Sequence, residues 1–431
     1  MRIAVLGAGV TGLTTAYFLA RDGHQVEVVE RNDGVAREAS FANGAQLSYS
    51  YVAPLAGPSV LPKIPPWLLR ADSPLRFFPQ LDPQQWLWLL EFVLACNRKQ
   101  SESSTQHLLE LSFFSRRLMH TFVKEEEAID FGYAKNGKLV LYSDQASFEA
   151  ARRLLDFQRQ LGCEQAALMR GECLALEPAI AHPTSTLAKR IVGGIHTPSE
   201  EVGDCYRFCT GLEKRLKSLG VVLRFNTTIR ALEAKGGKLS AVITDAGKIG
   251  AEQFVLSLGT QSPHLVRPLG LRLPIYPLKG YSITLPLPEG GAAPRLSVSI
   301  TDFARKIVYA PIAGAGGEAL RVAGMADIAG YSSDPDPARL GLLFKEAQAA
   351  FPAATDYSRG PQAMQPWAGL RPATPKGTPL LGRSAYANLI LNCGHGALGW
   401  TLALGSARIA ADLIAGNKPA LDIGAFRIGR H

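Results

Sequence analysis

Residues 2–30 read RIAVLGAGVTGLTTAYFLARDGHQVEVVE. Arg2 to Leu6 is a short apolar strand, and Gly7-x-Gly9-x-x-Gly12 opens a helix whose apolar face carries Leu13, Ala16, Tyr17 and Ala20. Gly23 stops that helix, and Gln25 to Val29 forms a second strand ending at Glu30. Strand, glycine loop, helix, strand and acidic residue within so short a span predict a βαβ unit. In such a loop the first glycine permits the tight turn, the second admits a pyrophosphate close to the backbone, and the third lets helix and strand pack. The helix N-terminus then faces the phosphates, and a carboxylate at the position of Glu30 accepts hydrogen bonds from ribose hydroxyls.

FAD and NAD share this fingerprint. An NAD dehydrogenase normally completes its nucleotide fold contiguously, whereas here the second half is delayed past a long insertion. A second strand-to-helix glycine turn then appears at Leu389 to Thr401. Such a turn can present backbone amides to a flavin ring, where negative charge develops on reduction. That favours FAD.

Working outward, residues 41–188 change to loops rich in proline (Pro54, Pro58, Pro62, Pro65, Pro66), followed by helices near 83–98, 102–128 and 145–161. Alternation resumes at Gly193 to Thr197. Asp204 is a suitable N-cap for a helix reaching Ser218, ahead of a strand at Val221 to Phe225. Strands are expected at 229–234, 239–244 and 253–258, then near 276–285, 296–301, 306–312 and 319–326, with a hairpin turn at Gly314 to Gly317. The expected fold is α/β: a Rossmann-type nucleotide domain of the glutathione-reductase kind (residues 1–50, 190–270 and 365–431) interleaved with an α+β substrate domain (51–189 and 271–364) containing an antiparallel sheet.

Composition fits a multidomain enzyme. The 431 residues are 47% hydrophobic and 19% charged, which excludes a disordered chain and a disulfide-stapled miniprotein. Lys and Arg (46) outnumber Asp and Glu (37), giving a net charge of +9. The basic residues are diffuse, without the clustered Lys/Arg and interleaved aromatics of a nucleic-acid surface, so no nucleic-acid partner is expected. An anionic membrane surface or an acidic substrate accounts for the charge equally well. Six cysteines lack CxxC spacing, and no metal site is expected; reduced, buried thiols suit the cytosol. The chain enters a strand at Arg2, leaving no room for a secretion signal, and the expected location is cytoplasmic, with the inner face of the cell membrane as the alternative. The uncharged stretch Ser384 to Ala407 is long enough to span a membrane, but Asn392, His395 and four glycines make it read as strand, turn and helix.

Four segments carry a more specific signal: Glu38 to Ser48 (EASFANGAQLS), Tyr276 to Ser282 (YPLKGYS), Gly369 to Pro379 (GLRPATPKGTP) and the 394–401 turn. With these the chain resembles, over nearly its whole length, the bacterial FAD-dependent D-amino acid dehydrogenases within the D-amino acid oxidase, glycine oxidase and sarcosine oxidase superfamily. The resemblance implies non-covalent FAD held by Gly7, Gly9, Val10, Thr11, Gly12, Glu30, Arg31 and Ser40. A loop of Asn43, Gly44, Gln46 and Leu47 would run beside the reactive edge of the flavin. Gly394, His395, Gly396, Leu398, Gly399, Trp400 and Thr401 would cradle its pyrimidine side and ribityl chain. Ile229 would meet adenine, although it and Thr228 read equally as plain strand residues, and Gly259 would mark where the chain passes the cofactor.

Arg371 corresponds to the arginine that binds the substrate carboxylate in amino acid oxidising relatives, a task suited to a planar fork that stays charged. Tyr281, and after it Tyr276 and Tyr309, are candidates for a phenol that donates to the carboxylate or walls off the side chain; core packing is the alternative for each. His395 is assigned to flavin contact and not to base catalysis, because hydride transfer from a neutral amine needs no base. Cys393 is read as a buried strand residue. The segment Trp86, Trp88, Leu89, Leu90, Phe92, Val93 is read as core, with a peripheral membrane patch giving reduced FAD access to a quinone as the alternative. The implied activity is oxidative deamination of D-amino acids to 2-oxo acids and ammonia, with electrons passed to a non-oxygen acceptor such as a quinone. An oxygen-using oxidase of glycine, sarcosine or a cyclic imino acid such as D-proline or D-hydroxyproline is the alternative, and an inactive FAD-fold binding module is the alternative of another class.

Overall fold

The computed structural model describes residues 1–58, 60–63, 73–287, 295–314 and 317–428. Among them, a six-stranded sheet runs in the order Leu380–Arg383, Leu389–Cys393, Gln253–Leu256, Arg2–Leu6, Gln25–Val29, Val222–Arg224. All neighbours are parallel except the outermost Leu380–Arg383. The central strand is buried after Arg2, which explains its unbroken apolar run: a parallel strand covered on both faces has no solvent side to alternate toward.

Helix Val10–Arg21 leaves this sheet at the glycine loop and packs on helices Gly399–Ala415 and Cys205–Ser218. The last begins where the sequence predicts, with Asp204 accepting from the backbone N–H of Arg207 at 3.0 Å. The helical stretch Gly396–Ala415, which joins a short turn to helix Gly399–Ala415, is long and apolar enough to cross a membrane, yet it lies mostly inside the protein, with the helix against Arg98–Glu125.

The second large sheet has nine strands. Along its path lie Gln365–Ala373, Tyr276–Pro286, Gly317–Ile328, Ile307–Gly314, Ser299–Asp302, Lys138–Tyr142, Gly193–Thr197 and Ala166–Met169, and Leu75–Phe77 pairs with Gly317–Ile328. It is mixed, because Ser299–Asp302 runs parallel to Lys138–Tyr142 and Leu75–Phe77 parallel to Gly317–Ile328. The expected hairpin is present, with Gly314 paired to Gly317, although residues 315 and 316, like Pro65 and Pro66, lie outside the described residues.

Two segments assigned by sequence to the nucleotide domain belong to this sheet instead. Gly193–Thr197 pairs antiparallel with Lys138–Tyr142, and Gln365–Ala373 pairs along its length with Tyr276–Pro286. Alternation predicts a strand but not its partner; the partner comes from register with residues far away in the chain. The consequence matters for the site, since Arg371 is delivered from the substrate-side sheet opposite Leu278.

Candidate active site

A single cavity of about 1260 Å³ runs from the glycine loop, along the six-stranded sheet, to the face of the nine-stranded one. At its nucleotide end Gly7 has φ +105°, and a Cβ on Gly12 would fall 1.9 Å from the Gly7 carbonyl oxygen. Gly12 therefore serves helix–strand packing and does not line the cavity, whereas Gly7, Gly9, Val10 and Thr11 do. The Glu30 carboxylate accepts from Ala8 N at 2.9 Å, Asn32 N at 2.9 Å and Asn32 Nδ2 at 2.7 Å. With about four acceptor positions on a carboxylate, it retains one for a ribose hydroxyl. Arg31 and Ser40 line the same end, and Ser40 Oγ accepts from Val10 N at 3.1 Å.

In the Asn43–Leu47 loop, Asn43 Oδ1 accepts from Ala45 N at 3.0 Å and holds Ala45 at φ +57°. Asn43, Gly44 and Gln46 line the cavity. Leu47, expected to touch cofactor, is instead fully buried in the hydrophobic core, because alternation in this short strand turns it away while Gln46 and Ser48 face the cavity. Ile229 and Gly259 also line it.

The late turn borders the same cavity. Gly394 (φ +76°) and Gly396 (φ +55°) adopt left-handed backbone, and His395, Leu398, Gly399, Trp400 and Thr401 line the cavity with them. Thr401 Oγ1 accepts from Ser48 N at 3.2 Å, linking this turn to the other loop. Cys393 also borders the cavity and is buried as expected of a strand residue, and burial raises its pKa to about 12.

His395 is buried with Nε2 3.1 Å from Ser406 Oγ, and burial lowers its pKa from 6.5 to about 4. It is neutral at pH 7. A depressed folded-state value means that this contribution to stability is complete above the unfolded value near 6.5 and is lost as pH falls through about 4, amounting to about 3 kcal/mol. We expect the melting temperature of the parent to fall more steeply between pH 6.5 and 4 than that of His395→Asn. Parallel melting curves against pH would show that the imidazole is solvated.

At the other end of the cavity, Arg371 donates from Nη1 to the Met325 carbonyl at 2.9 Å. Desolvation lowers its pKa to about 10, opposed by the charge of Asp327. Among the described residues no carboxylate stands in ion-pair contact with it. An arginine held in a cavity without a direct counter-ion is a candidate for binding an anion.

The tyrosines are placed differently from the sequence expectation. Tyr281 borders the cavity, but its hydroxyl donates to Asp327 Oδ2 at 2.7 Å, and that carboxylate also accepts from Arg76 Nη2 at 2.6 Å and from Arg339. The phenol is thus committed to a buried ionic cluster and not offered to a substrate carboxylate. Tyr276 is fully buried beside Trp88 and Tyr331, and Tyr309 is fully buried with its ring 4.8 Å from that of Phe351. Neither lines the cavity; strand alternation gives that face to neighbours such as Val308, which meets Gly44.

Sequence reasoning also missed Lys138. It is buried in the strand KLVLY, lines the cavity, and donates from Nζ to Gln46 Oε1 at 2.7 Å and Ser48 Oγ at 2.9 Å. Burial lowers its pKa, with the charge of Glu200 opposing. The signal available was a lysine in an otherwise apolar strand, which reads by default as an edge residue.

The arrangement fits a dinucleotide with a redox-active ring: a pyrophosphate loop, a fixed carboxylate at the strand end, a second glycine turn ahead of a buried helix, and beyond it an arginine without ion-pair contact among the described residues. Comparison with known proteins agrees. A D-amino acid dehydrogenase of Ralstonia nicotianae is 49% identical over 433 residues, covering 100% of both chains. One from Pseudomonas aeruginosa is 46% identical over 424 residues, covering 98% of this chain and 96% of the relative. The glycine oxidase structure from Geobacillus kaustophilus superposes with TM-score 0.77 at 21% identity, over 100% of this chain and 99% of that one, which speaks for the fold alone. A family model described as FAD dependent oxidoreductase (DAO) matches residues 2–413, and with relatives this similar over their full length the chain belongs to that FAD-dependent family.

Proposed function

We propose that the protein oxidises the amine of D-amino acids, yielding an imino acid that water hydrolyses to a 2-oxo acid and ammonia. FAD, when bound, supplies the two-electron acceptor for the hydride leaving Cα. The observation that carries this reading is Arg371, a half-buried cation with no carboxylate in ion-pair contact among the described residues, in the cavity that also contains the glycine loop and the late turn. Its fork holds the α-carboxylate through two parallel hydrogen bonds and so fixes Cα. His395, neutral, packs against the cofactor and leaves the amine proton alone. The D configuration follows from the relatives' names, not from a contact in this chain.

Electrons then pass to an acceptor other than oxygen, and we propose a quinone reached at a membrane surface. Helix Pro83–Ala95 supports this: Trp88 and Phe92 line the cavity, while Trp86, Leu90 and Leu94 on its other side are 51%, 56% and 67% exposed. One helix thus joins the cofactor cavity to an apolar outer face, where the net charge of +9 favours anionic lipid. All six cysteines are buried and unpaired, which supports a reducing, cytoplasmic location.

Anaerobic mixing with a panel of D- and L-amino acids tests the reaction. We expect the yellow, acid-releasable flavin to bleach with D-amino acids and not with their L-enantiomers. Bleaching by L-amino acids alone would overturn the assignment, and rapid reoxidation by air without added quinone would make the protein an oxidase.

A further inference from the structure

The backbone around Arg371 breaks two local rules, and both departures point at the guanidinium. Strand Gly317–Ile328 carries a bulge against Tyr276–Pro286: Lys279 faces Asp327 and Tyr281 faces Gly324, so Met325 and Ala326 together oppose Gly280. Met325 sits in this bulge at φ +61°, a left-handed conformation that bulges normally give to glycine. A non-glycine residue held there is strained and persists only where its surroundings enforce it. Its side chain supplies the enforcement, being 4% exposed within the hydrophobic cluster that includes Ile283, Ile307 and Leu343. The carbonyl of the same residue is the acceptor for Arg371 Nη1 at 2.9 Å.

Opposite the bulge, a Cβ on Gly280 would fall 2.2 Å from Arg371 Nη2 and 2.4 Å from its Cζ. The guanidinium therefore rests on bare backbone in the middle of a strand, where glycine is otherwise unfavourable. Arg371 itself stands opposite Leu278 on the neighbouring strand, two residues along from Gly280.

We propose that Met325 and Gly280 are positioning residues for Arg371: the core-anchored bulge aims a carbonyl at one prong, and the missing side chain gives the fork its seat, so that the remaining N–H groups meet a substrate carboxylate. The proposal rests on the reading of Arg371 as the carboxylate-binding residue. It makes the left-handed methionine part of the substrate site through its backbone carbonyl.

The test uses FAD-loaded protein and two unreactive probes, propionate, which is D-alanine without its amine, and propionamide, its uncharged counterpart, with binding followed by the shift in flavin absorbance. Propionate is expected to bind the parent and Met325→Leu within about threefold of each other, since leucine preserves the core anchor. Met325→Gly relaxes the strain but releases the bulge, and Gly280→Ala fills the seat. Both are expected to weaken propionate at least tenfold while FAD content is kept and propionamide binding is unmoved. Parent-like propionate affinity in Met325→Gly, or in Gly280→Ala if the first variant does not retain FAD, would overturn the proposal, as would equal weakening of both probes. Arg371→Lys is titrated alongside: if it too binds propionate as the parent does, the reading of Arg371 has failed, whereas weakening there but not in the Met325 and Gly280 variants sinks the positioning proposal alone.

Discussion

Arg371→Lys is expected to reduce its flavin with D-alanine or D-proline about 100-fold more slowly than the parent, with a higher half-saturation and unchanged FAD content. Lysine keeps the charge but replaces a planar fork by a point charge on a shorter reach, so the carboxylate loses one hydrogen bond and its fixed direction. A displacement of Cα by about 1 Å from its productive position is enough to cost about two orders of magnitude in rate. The existing contact to the Met325 carbonyl sharpens the expectation, because a lysine satisfying that carbonyl would be drawn away from the substrate. Stopped-flow traces of the reductive half-reaction supply the measurement, with the decarboxylated amine as control. Parent-like rates and half-saturation would reduce Arg371 to a cation without a role in binding.

Glu30→Ala should produce the other large effect, on cofactor retention. The carboxylate gathers Ala8 N and Asn32 N, so it shapes the pyrophosphate loop as well as offering an acceptor to ribose. A hydrogen bond to a charged group contributes about 1.5–3 kcal/mol, so FAD affinity should drop roughly 10- to 100-fold even before the loop relaxes. Flavin that remains bound should still be reduced at the parent rate, since the ribose lies far from the reacting ring. Equilibrium dialysis against FAD decides it; unchanged affinity would mean that Glu30 is a loop brace only.

The nucleotide half of the site was legible from residues 2–30 because its requirements are local: three glycines at fixed spacing and an acidic residue at a strand end serve backbone geometry that neighbours in sequence determine. The late turn at 394–401 was legible for the same reason. The substrate half was not. Tyr276, Tyr281 and Tyr309 all lie on strands that were correctly located, yet which face each tyrosine takes depends on partners and bulges elsewhere. Tyr281 illustrates the limit best, because its phenol is claimed by Asp327, which Arg76 and Arg339 bring into place from outside the strand. Lys138 and Met325 escaped notice because neither belongs to a motif: one is a buried lysine that only tertiary contacts reveal, the other an ordinary strand methionine until its φ is known.

The six-stranded sheet places Arg2–Leu6 beside Gln253–Leu256, and that strand beside Leu389–Cys393. At about 5–20 residues per second, a ribosome needs roughly 20–80 s between making the first of these strands and the last. During that interval the glycine loop has no completed floor, and the helix Gly399–Ala415 has not been made. FAD therefore meets a complete site only once the strand Leu389–Cys393 and the turn after it have been made. A chain cut short before residue 389 would carry the glycine loop and Glu30 and still lack the neighbouring strand of their sheet, so cofactor retention belongs to the whole strand order and not to the first 30 residues.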